Sequence, residues 1–247
     1  MAPSASPPPV IRAERVVKLV DGAPERAPIL RDCSIELDGG GLTAIVGPSG
    51  AGKTSLLYCL SGLDRPDRGR VTLNGTDLYS LNDEKRTRFL RETVSFVFQQ
   101  YNLIDYLTLE ENIRLPQALA RRRVEPATVD RLLTRFGLLD RRTARVSTLS
   151  GGERQRAALC RAILTRPSVV FADEPTGALD TANTDLVLKV LRDMASQGHS
   201  VVMITHDAES AALADRTVFM RDGAIAQVTG RLTVDGVSRT MARLGGR

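Results

Sequence analysis

Three short stretches of this chain have the residue types and spacings that handle phosphate. Gly47-Pro48-Ser49-Gly50-Ala51-Gly52-Lys53-Thr54 fits the pattern G-x-x-x-x-G-K-[ST]. In such a loop glycines let backbone N–H groups turn inward around phosphate oxygens. Lys53 would reach the terminal phosphates as a point charge, and the Thr54 hydroxyl would reach Mg²⁺. The second stretch, Val169-Val170-Phe171-Ala172-Asp173-Glu174, is an apolar run ending in two acids. A buried strand of that kind sets its carboxylates at the sheet edge where ligands bind. Asp173 is the group to hold Mg²⁺, through water, and Glu174 the group to orient or deprotonate an attacking water. The third, Ser150-Gly151-Gly152, opens an apolar-periodic helix, and a helix N-terminus is itself an anion site.

The elements that must position these residues can be read around them. Leu42 to Val46 is a short apolar run, and Lys53 to Leu60 has helical character, so the loop sits between strand and helix as the motif requires. Two β-like stretches between Val10 and Leu37 flank a Pro/Gly loop, Asp21 to Pro28. Arg70 to Asn74 leads into an Asn-Gly turn, and Val94 to Phe98 reads as a further strand. Apolar spacing from Thr108 to about Gly137 predicts helices, with Pro116 and Pro126 dividing them. A third helix is expected from Ser150 to about Thr165. Then come a strand over Ser168–Ala172, a helix over Asn183–Ser196 and a strand over Ser200–Thr205. Arg216–Met220 and Ala224–Val228 flank Asp222-Gly223 as a hairpin. Alternating helices and apolar strands predict an α/β fold with a mostly parallel sheet covered on both faces.

Length and composition bound the rest. The chain has 247 residues, 42% hydrophobic and 26% charged, an ordinary globular balance. Its three cysteines, Cys33, Cys59 and Cys160, are widely spaced, and only two histidines are present, so a disulfide framework or a zinc site is not expected. No apolar run reaches the roughly 20 residues that a membrane-spanning helix needs. Met1 to Pro9 is Pro/Ser/Ala-rich and reads as a disordered lead-in, not a secretory signal. The net charge of +5 could favour an anionic surface. Arg121-Arg122-Arg123 is its densest cluster, and it reads most simply as a solvated helix end.

Two phosphate-binding surfaces about a hundred residues apart in one chain are reconciled most economically by a head-to-tail dimer. The nucleotide is then held by the loop of one subunit and the Ser-Gly-Gly of the other. At this level Leu149-Ser150-Gly151-Gly152-Glu153 followed by Arg154-Gln155-Arg156 resembles the signature of the ATP-binding cassette (ABC) ATPases. The resemblance runs from Val10 to about Val228. It implies a phosphate-loop NTPase core, an N-terminal antiparallel β subdomain and an inserted helical subdomain over about residues 100–165. The cassette would span residues 10–230, with residues 231–247 a tail carrying no recognised motif.

The resemblance also assigns residues. Phe96-Val97-Phe98-Gln99 is similar to the segment ending in the family's glutamine, which contacts Mg²⁺ and the attacking water. Glu174 to Asp180 is similar to the acidic strand end running into the dimer-contacting loop, with Asp180 at the interface. Thr205-His206-Asp207 is similar to the switch histidine that touches the γ-phosphate. The implied function is Mg²⁺-dependent ATP hydrolysis by a dimer, as a homodimer or with a sister chain.

Gly62 to Pro66, Leu73 to Leu78, Phe98 to Ile104 and Ala172 to Gly177 are similar to one branch of the family. It holds macrolide and antimicrobial-peptide exporters, lipoprotein-release systems and a cell-division complex. In it the ATPase is a separate chain at the cytoplasmic side of the membrane, docked to a permease. Tyr101 to Tyr106 would help form the groove for that partner, and export or lipoprotein extraction is the expected task. A cell-division ATPase that signals without transport is an alternative. So is a soluble nucleic-acid-linked ATPase, which is not favoured because the chain has no heptad run and no Cys/His cluster, and no nucleic acid is expected. One departure stands out: Leu19 and Val20 occupy the place of the family's adenine-stacking aromatic residue. That costs about 1 kcal/mol of affinity, by the scale of aromatic pairs.

Overall fold

The structure is a computed structural model that describes residues 9–20, 28–177 and 180–245. The expected lead-in, most of the Asp21–Pro28 loop, and Ala178 and Leu179 lie outside the described residues.

Strands β1 (Ile11–Leu19) and β2 (Pro28–Leu37) pair antiparallel, and their alternation of buried and exposed residues is interrupted near Arg15 and Asp32, which take positive φ. After β3 (Gly41–Val46) and helix α1 (Lys53–Ser61), strands β4 (Arg68–Leu73) and β5 (Thr76–Asp77) complete a four-stranded sheet in the order β2-β1-β4-β5. Asn74 and Gly75 both take positive φ, which makes the tight turn between β4 and β5.

Helix α2 (Asp83–Thr93) then leads to β6 (Val94–Phe98), and α3 (Leu109–Leu119) and α4 (Pro126–Arg135) follow. Two short 3-10 turns precede α5 (Gly151–Thr165). The chain closes with β7 (Val169–Asp173), α6 (Thr181–Ser196), β8 (Ser200–Ile204), α7 (Ala208–Ala212), β9 (Arg216–Arg221), β10 (Ala224–Gly230) and α8 (Val234–Gly245).

The second sheet has the order β10-β9-β3-β8-β7-β6, parallel throughout except for the edge strand β10. Its central strands are buried on both faces, which explains the unbroken apolar runs of β3 and β8. One core cluster joins this sheet to α1 and the antiparallel sheet through Leu56, Leu60, Phe171 and Ile204. The other joins it to α3, α4, α5 and α6 through Ile113, Leu133, Leu159 and Leu191.

Three local readings of the sequence need correction or completion. Pro116 does not divide helices; it lies inside α3. The missing N–H costs one bond near the end of that helix, and the Ala120 N–H still bonds to the Pro116 carbonyl at 3.0 Å, so the turn survives. A capping box between Thr108 and Glu111 fixes the other end of α3. α2 was not read from the sequence, because only Thr93 of its residues is buried and its apolar period is faint. α8 also forms in a stretch where no motif was read, and it lays Val237, Met241 and Leu244 on the core.

Candidate functional site

Strand register gathers the site at one edge of the parallel sheet. Ile45 of β3 lies opposite Ile204 of β8, Ile204 opposite Asp173 of β7, and Asp173 opposite Phe98 of β6. The chain therefore leaves this edge side by side as Gly47, His206, Glu174 and Gln99. These strands are parallel, so this is their carboxyl edge, where open α/β sheets bind ligands.

The phosphate loop runs from Gly47 to Thr54 between β3 and α1. Gly47 and Gly52 are required by space as well as by conformation. A Cβ at Gly47 would lie 2.3 Å from the Met220 carbonyl, and one at Gly52 2.8 Å from the Ile29 carbonyl, with φ +155° and +90°. Pro48, Ser49 and Gly50 form the exposed outer arc, and Ala51 is buried beneath it. Gly52 caps α1 without a side-chain hydrogen bond, so the first N–H groups of the helix keep no internal acceptor. Such a cradle fits a phosphate group. The Lys53 ammonium turns into the loop and donates to the carbonyls of Gly47 and Pro48, each at 2.9 Å. Burial pushes the Lys53 pKa down, against the charges of Glu174 and Asp173, which hold it up.

Thr54 and Asp173 meet where the loop faces β7, with Thr54 Oγ1 donating to Asp173 Oδ1 at 3.3 Å. A hydroxyl beside a carboxylate is an all-oxygen pair, which fits a hard cation such as Mg²⁺. Burial raises the Asp173 pKa; hydrogen bonds from Tyr58 and Thr54 pull it back, and the Glu174 charge pushes it up. Glu174 sits at φ +44°, a left-handed conformation that a non-glycine residue adopts at a cost. This turn lifts its carboxylate off the sheet to 3.7 Å from His206 Nδ1. Gln99 reaches the same turn: a Cβ on Gly177 would lie 2.8 Å from Gln99 Nε2.

The second assembly is built on α5. Ser150 caps the helix, its Oγ accepting from the Glu153 N–H at 3.2 Å while Glu153 accepts from the Ser150 N–H at 2.8 Å. That hydrogen bond holds the Glu153 carboxyl below the usual carboxylate range, and Arg141 adds to it from 3.1 Å. Gly152 lies against the Asn183 amide, where a Cβ would approach within 2.8 Å. Arg156 donates to Asn183 Oδ1 at 3.0 Å, and the Asn183 N–H donates to the Asp180 carboxylate at 2.8 Å. Ser150, Gly151, Gly152 and Asp180 thus belong to one connected surface. Among the described residues, no hydrogen bond or ion pair joins that surface to the phosphate loop.

Two side chains of α5, the buried Gln155 and the half-buried Arg161, tie it to the first assembly. Gln155 donates to the Pro175 carbonyl at 2.7 Å, just past Glu174. Arg161 donates to the carbonyls of Tyr101 and Asn102, at 2.8 and 2.6 Å, in the turn that follows Gln99. Both acceptor residues have positive φ. Sequence reading gave Arg161, Asn183 and Tyr58 no role, and placed Gln155 only in the stretch after Glu153 that resembles the family signature. For Arg161 a signal was present, since it is an arginine set among Ala157, Ala158, Cys160 and Ala162 in the second half of the helix.

The fold and this edge define a phosphate-loop nucleotide-binding fold, and a second glycine-rich helix entry lies on α5. The family model described as "ABC transporter" matches residues 30–177. The chain is 37% identical over 229 residues to the macrolide export ATP-binding/permease protein MacB of Marinobacter nauticus, covering 91% of this chain and 35% of that protein. It is 40% identical over 199 residues to the ABC transporter ATP-binding protein YxdL of Bacillus subtilis, covering 78% and 77% of the two chains. A dimeric post-hydrolysis structure of the ATP-binding cassette MJ0796, bound to ADP and Pi, superposes with a TM-score of 0.82 at 29% identity, covering 89% and 98% of the chains. The chain belongs to the ABC transporter family and is an ATPase cassette of it. It spans about a third of the length of the MacB relatives it matches.

Proposed function

We propose that this cassette hydrolyses MgATP as one half of a head-to-tail dimer and powers a membrane permease, in export or in extraction of a lipoprotein or peptide. The observation that carries the reading is the convergence of Lys53, Thr54, Asp173, Glu174, His206 and Gln99 on one sheet edge, with a separate helix-borne anion surface elsewhere on the chain. The MacB relatives unite ATP-binding and permease parts in name, and the MJ0796 cassette is a dimer.

In this reading the N–H groups from Gly47 to Thr54 wrap the nucleotide phosphates, and Lys53 exchanges its two loop carbonyls for phosphate oxygens. Thr54 and Asp173 hold Mg²⁺, with Gln99 as the third group toward it. The ion, when bound, neutralises charge that builds on the phosphoryl oxygens. Glu174 orients water and accepts its proton, and its turn conformation aims it away from the strand. His206 faces the γ-phosphate from beside Glu174. Ser150, Gly151 and Gly152 of the opposing subunit close over the same nucleotide, with Asp180 at the interface.

The permease contact is a groove of about 270 Å³ between the parallel sheet and the helical region, lined by Phe96, Phe98, Asn102, Leu115, Pro116 and Leu119. It adjoins the turn after Gln99, so a partner seated there touches the nucleotide site through that turn. Among the described residues no helix is long and apolar enough to cross a membrane. The proposed place is the cytoplasmic face, held through the permease.

The test is Glu174→Gln. ATP should still bind, turnover should fall by at least about a hundredfold, and a dimer should accumulate with ATP. A membrane protein should co-purify with this trapped form from gently extracted membranes. Unchanged turnover overturns the role of Glu174, and a co-purifying set of only soluble partners overturns the transport reading.

A further inference from the structure

The arginine run after α3 has no part in the machinery described so far, and the fold gives it cationic neighbours. Arg121, Arg122 and Arg123 leave the C-terminal end of α3, and Arg166 caps the C-terminal end of α5. The two ends lie together, joined by Gln117 Nε2, which donates to the Leu164 carbonyl at 3.0 Å. Arg88 and Arg91 come from α2, and Arg91 donates to the Leu119 carbonyl at 2.9 Å.

These groups rim the groove assigned above to the permease. Arg91 and Leu119 line that groove and also a second depression, which holds Arg88 and Arg121. Thr165 lines the groove and also a third depression, which holds Arg122, Arg123 and Arg166. Leu119, shared by the first two, is 59% exposed.

The helix ends do not need these guanidinium groups. Backbone bonds close α3, from the Arg121 N–H to the Ala118 carbonyl at 3.0 Å and from the Arg122 N–H to the Gln117 carbonyl at 2.9 Å. The Arg166 N–H closes α5 on the Ile163 carbonyl at 3.1 Å. Arg121 and Arg166 also take positive φ, +55° and +49°, where glycine or asparagine would cost less. Both residues are exposed. Among the described residues, the side chains of Arg88, Arg121, Arg123 and Arg166 make no hydrogen bond or ion pair. Acids are present: Asp83 pairs with Arg86 at 2.8 Å, Glu92 lies 3.7 Å from Arg122, and Glu84 and Glu125 line the flanking depressions. One arginine set against each of these acids still leaves the face cationic.

We propose that this face docks on the anionic headgroups of a lipid membrane, with the arginines bordering the groove that seats the permease. The cations are exposed, come from three elements and border an open groove, which suits a plane of mobile headgroups better than one fixed set of carboxylates. An exposed leucine among them can enter the boundary between headgroups and acyl chains. The inference rests on the permease reading only for the direction in which this face is turned; the attraction itself belongs to the chain.

The experiment sediments the full chain with vesicles of equal parts phosphatidylcholine and phosphatidylglycerol, against pure phosphatidylcholine. Binding should need the anionic lipid and weaken as salt is raised. One arginine near an anionic bilayer changes binding about fivefold. Arg121→Gln, Arg123→Gln and Arg166→Gln together should therefore weaken binding at least about tenfold, with basal ATP turnover unchanged. Lysine at the same three positions should keep binding within about threefold, since headgroups read charge and not a planar fork. Glutamine at Arg15, Arg68 and Arg70, on the antiparallel sheet, removes equal charge and should also stay within about threefold of wild type.

Absence of binding to the anionic vesicles overturns the proposal. So does an equal loss in both glutamine triples, which would assign the attraction to net charge. Should the first triple fail to fold, Arg123→Gln decides alone: about a fivefold loss supports the proposal, and wild-type binding overturns it. If the first triple loses the co-purifying membrane protein in detergent while vesicle binding is unaffected, the occupant is an acidic permease segment and the proposal falls. The vesicles hold no permease, so the permease reading stands or falls separately, on co-purification.

Discussion

The N-termini of α1 and α5 look alike in sequence, since each is a glycine-rich entry to a helix, yet they are finished differently. At α1 the cap is Gly52, with no side chain to satisfy the first N–H groups, and Lys53 is tucked into the loop. At α5 the cap is Ser150, and a complete capping box with Glu153 already occupies N–H groups there. The first end is open to an anion within one chain. At the second the capping box takes the Ser150 and Glu153 N–H groups, leaves those of Gly151 and Gly152 without an acceptor among the described residues, and sets a carboxylate beside them. The contrast suits a site whose main affinity lies in one subunit while the other subunit senses closure.

The largest effect that separates the two ends should come from Lys53→Ala. Removing a charge-assisted donor should weaken nucleotide binding by about ten- to a hundredfold in dilute, monomeric protein. Equilibrium binding of a fluorescent ATP analogue reads this, and retained affinity would break the assignment of the open end.

Ser150→Ala should leave monomer affinity for nucleotide unchanged and weaken the ATP-driven dimer, seen by sedimentation of a Glu174→Gln background. It should also cost about 1 kcal/mol of stability from the lost cap. An equal loss of monomer binding would erase the contrast.

A smaller effect concerns the frame that holds α5. Arg142 pairs with Glu110 and with Asp130, the latter at 2.7 Å, and Arg114 reaches Glu110 at 2.6 Å. The Arg142 hydrogen bond, foremost, holds the Glu110 carboxyl below the usual range. A depressed carboxylate stabilises the fold above its unfolded pKa, and that stability is lost as pH falls through the lower folded value. Arg142→Ala should therefore lower the melting temperature at pH 7, and the gap to wild type should shrink as the solution is acidified below about pH 4. A gap independent of pH would show that packing, not charge, sets it.

The smallest effect is expected for Glu153→Gln. Glutamine keeps the capping box and removes the negative charge beside the second anion surface. Dimer formation at limiting ATP should strengthen by a few-fold at most, on the scale of helix-end charge effects. A weaker dimer would mean that the Arg141–Glu153 pair, at 3.1 Å, matters more than the repulsion.

Much of this was legible in the sequence because it is local. The phosphate loop needs only its own glycines between an apolar run and a helix, and Asp173-Glu174 announces itself at the end of an unbroken apolar strand. What stayed hidden depends on elements meeting. No periodicity shows that Arg161 reaches Tyr101 and Asn102, sixty and fifty-nine residues back, or that Thr54 meets Asp173. The polar helix α2 was missed for the opposite reason: its Asn82 cap and its Asp83-Glu84 first turn were present, but almost none of its surface is buried to give a period. In α8 the spacing of Val237, Met241 and Leu244 was a signal, set among Gly236, Gly245 and several polar residues that weaken it.

Arg161 also decides how a push would travel. Its guanidinium is bound to the two peptide carbonyls that follow Gln99, and it rides on the same rigid rod whose first turn is Ser150-Gly151-Gly152. Burial pulls the Arg161 pKa down, and its hydrogen bonds go to the neutral carbonyls of Tyr101 and Asn102. The first turn of α5 and the turn after Gln99 are thus joined through one helix and two hydrogen bonds. Arg161 also lines the groove of Phe96, Phe98 and Leu119, so one side chain borders both the groove and the turn after Gln99.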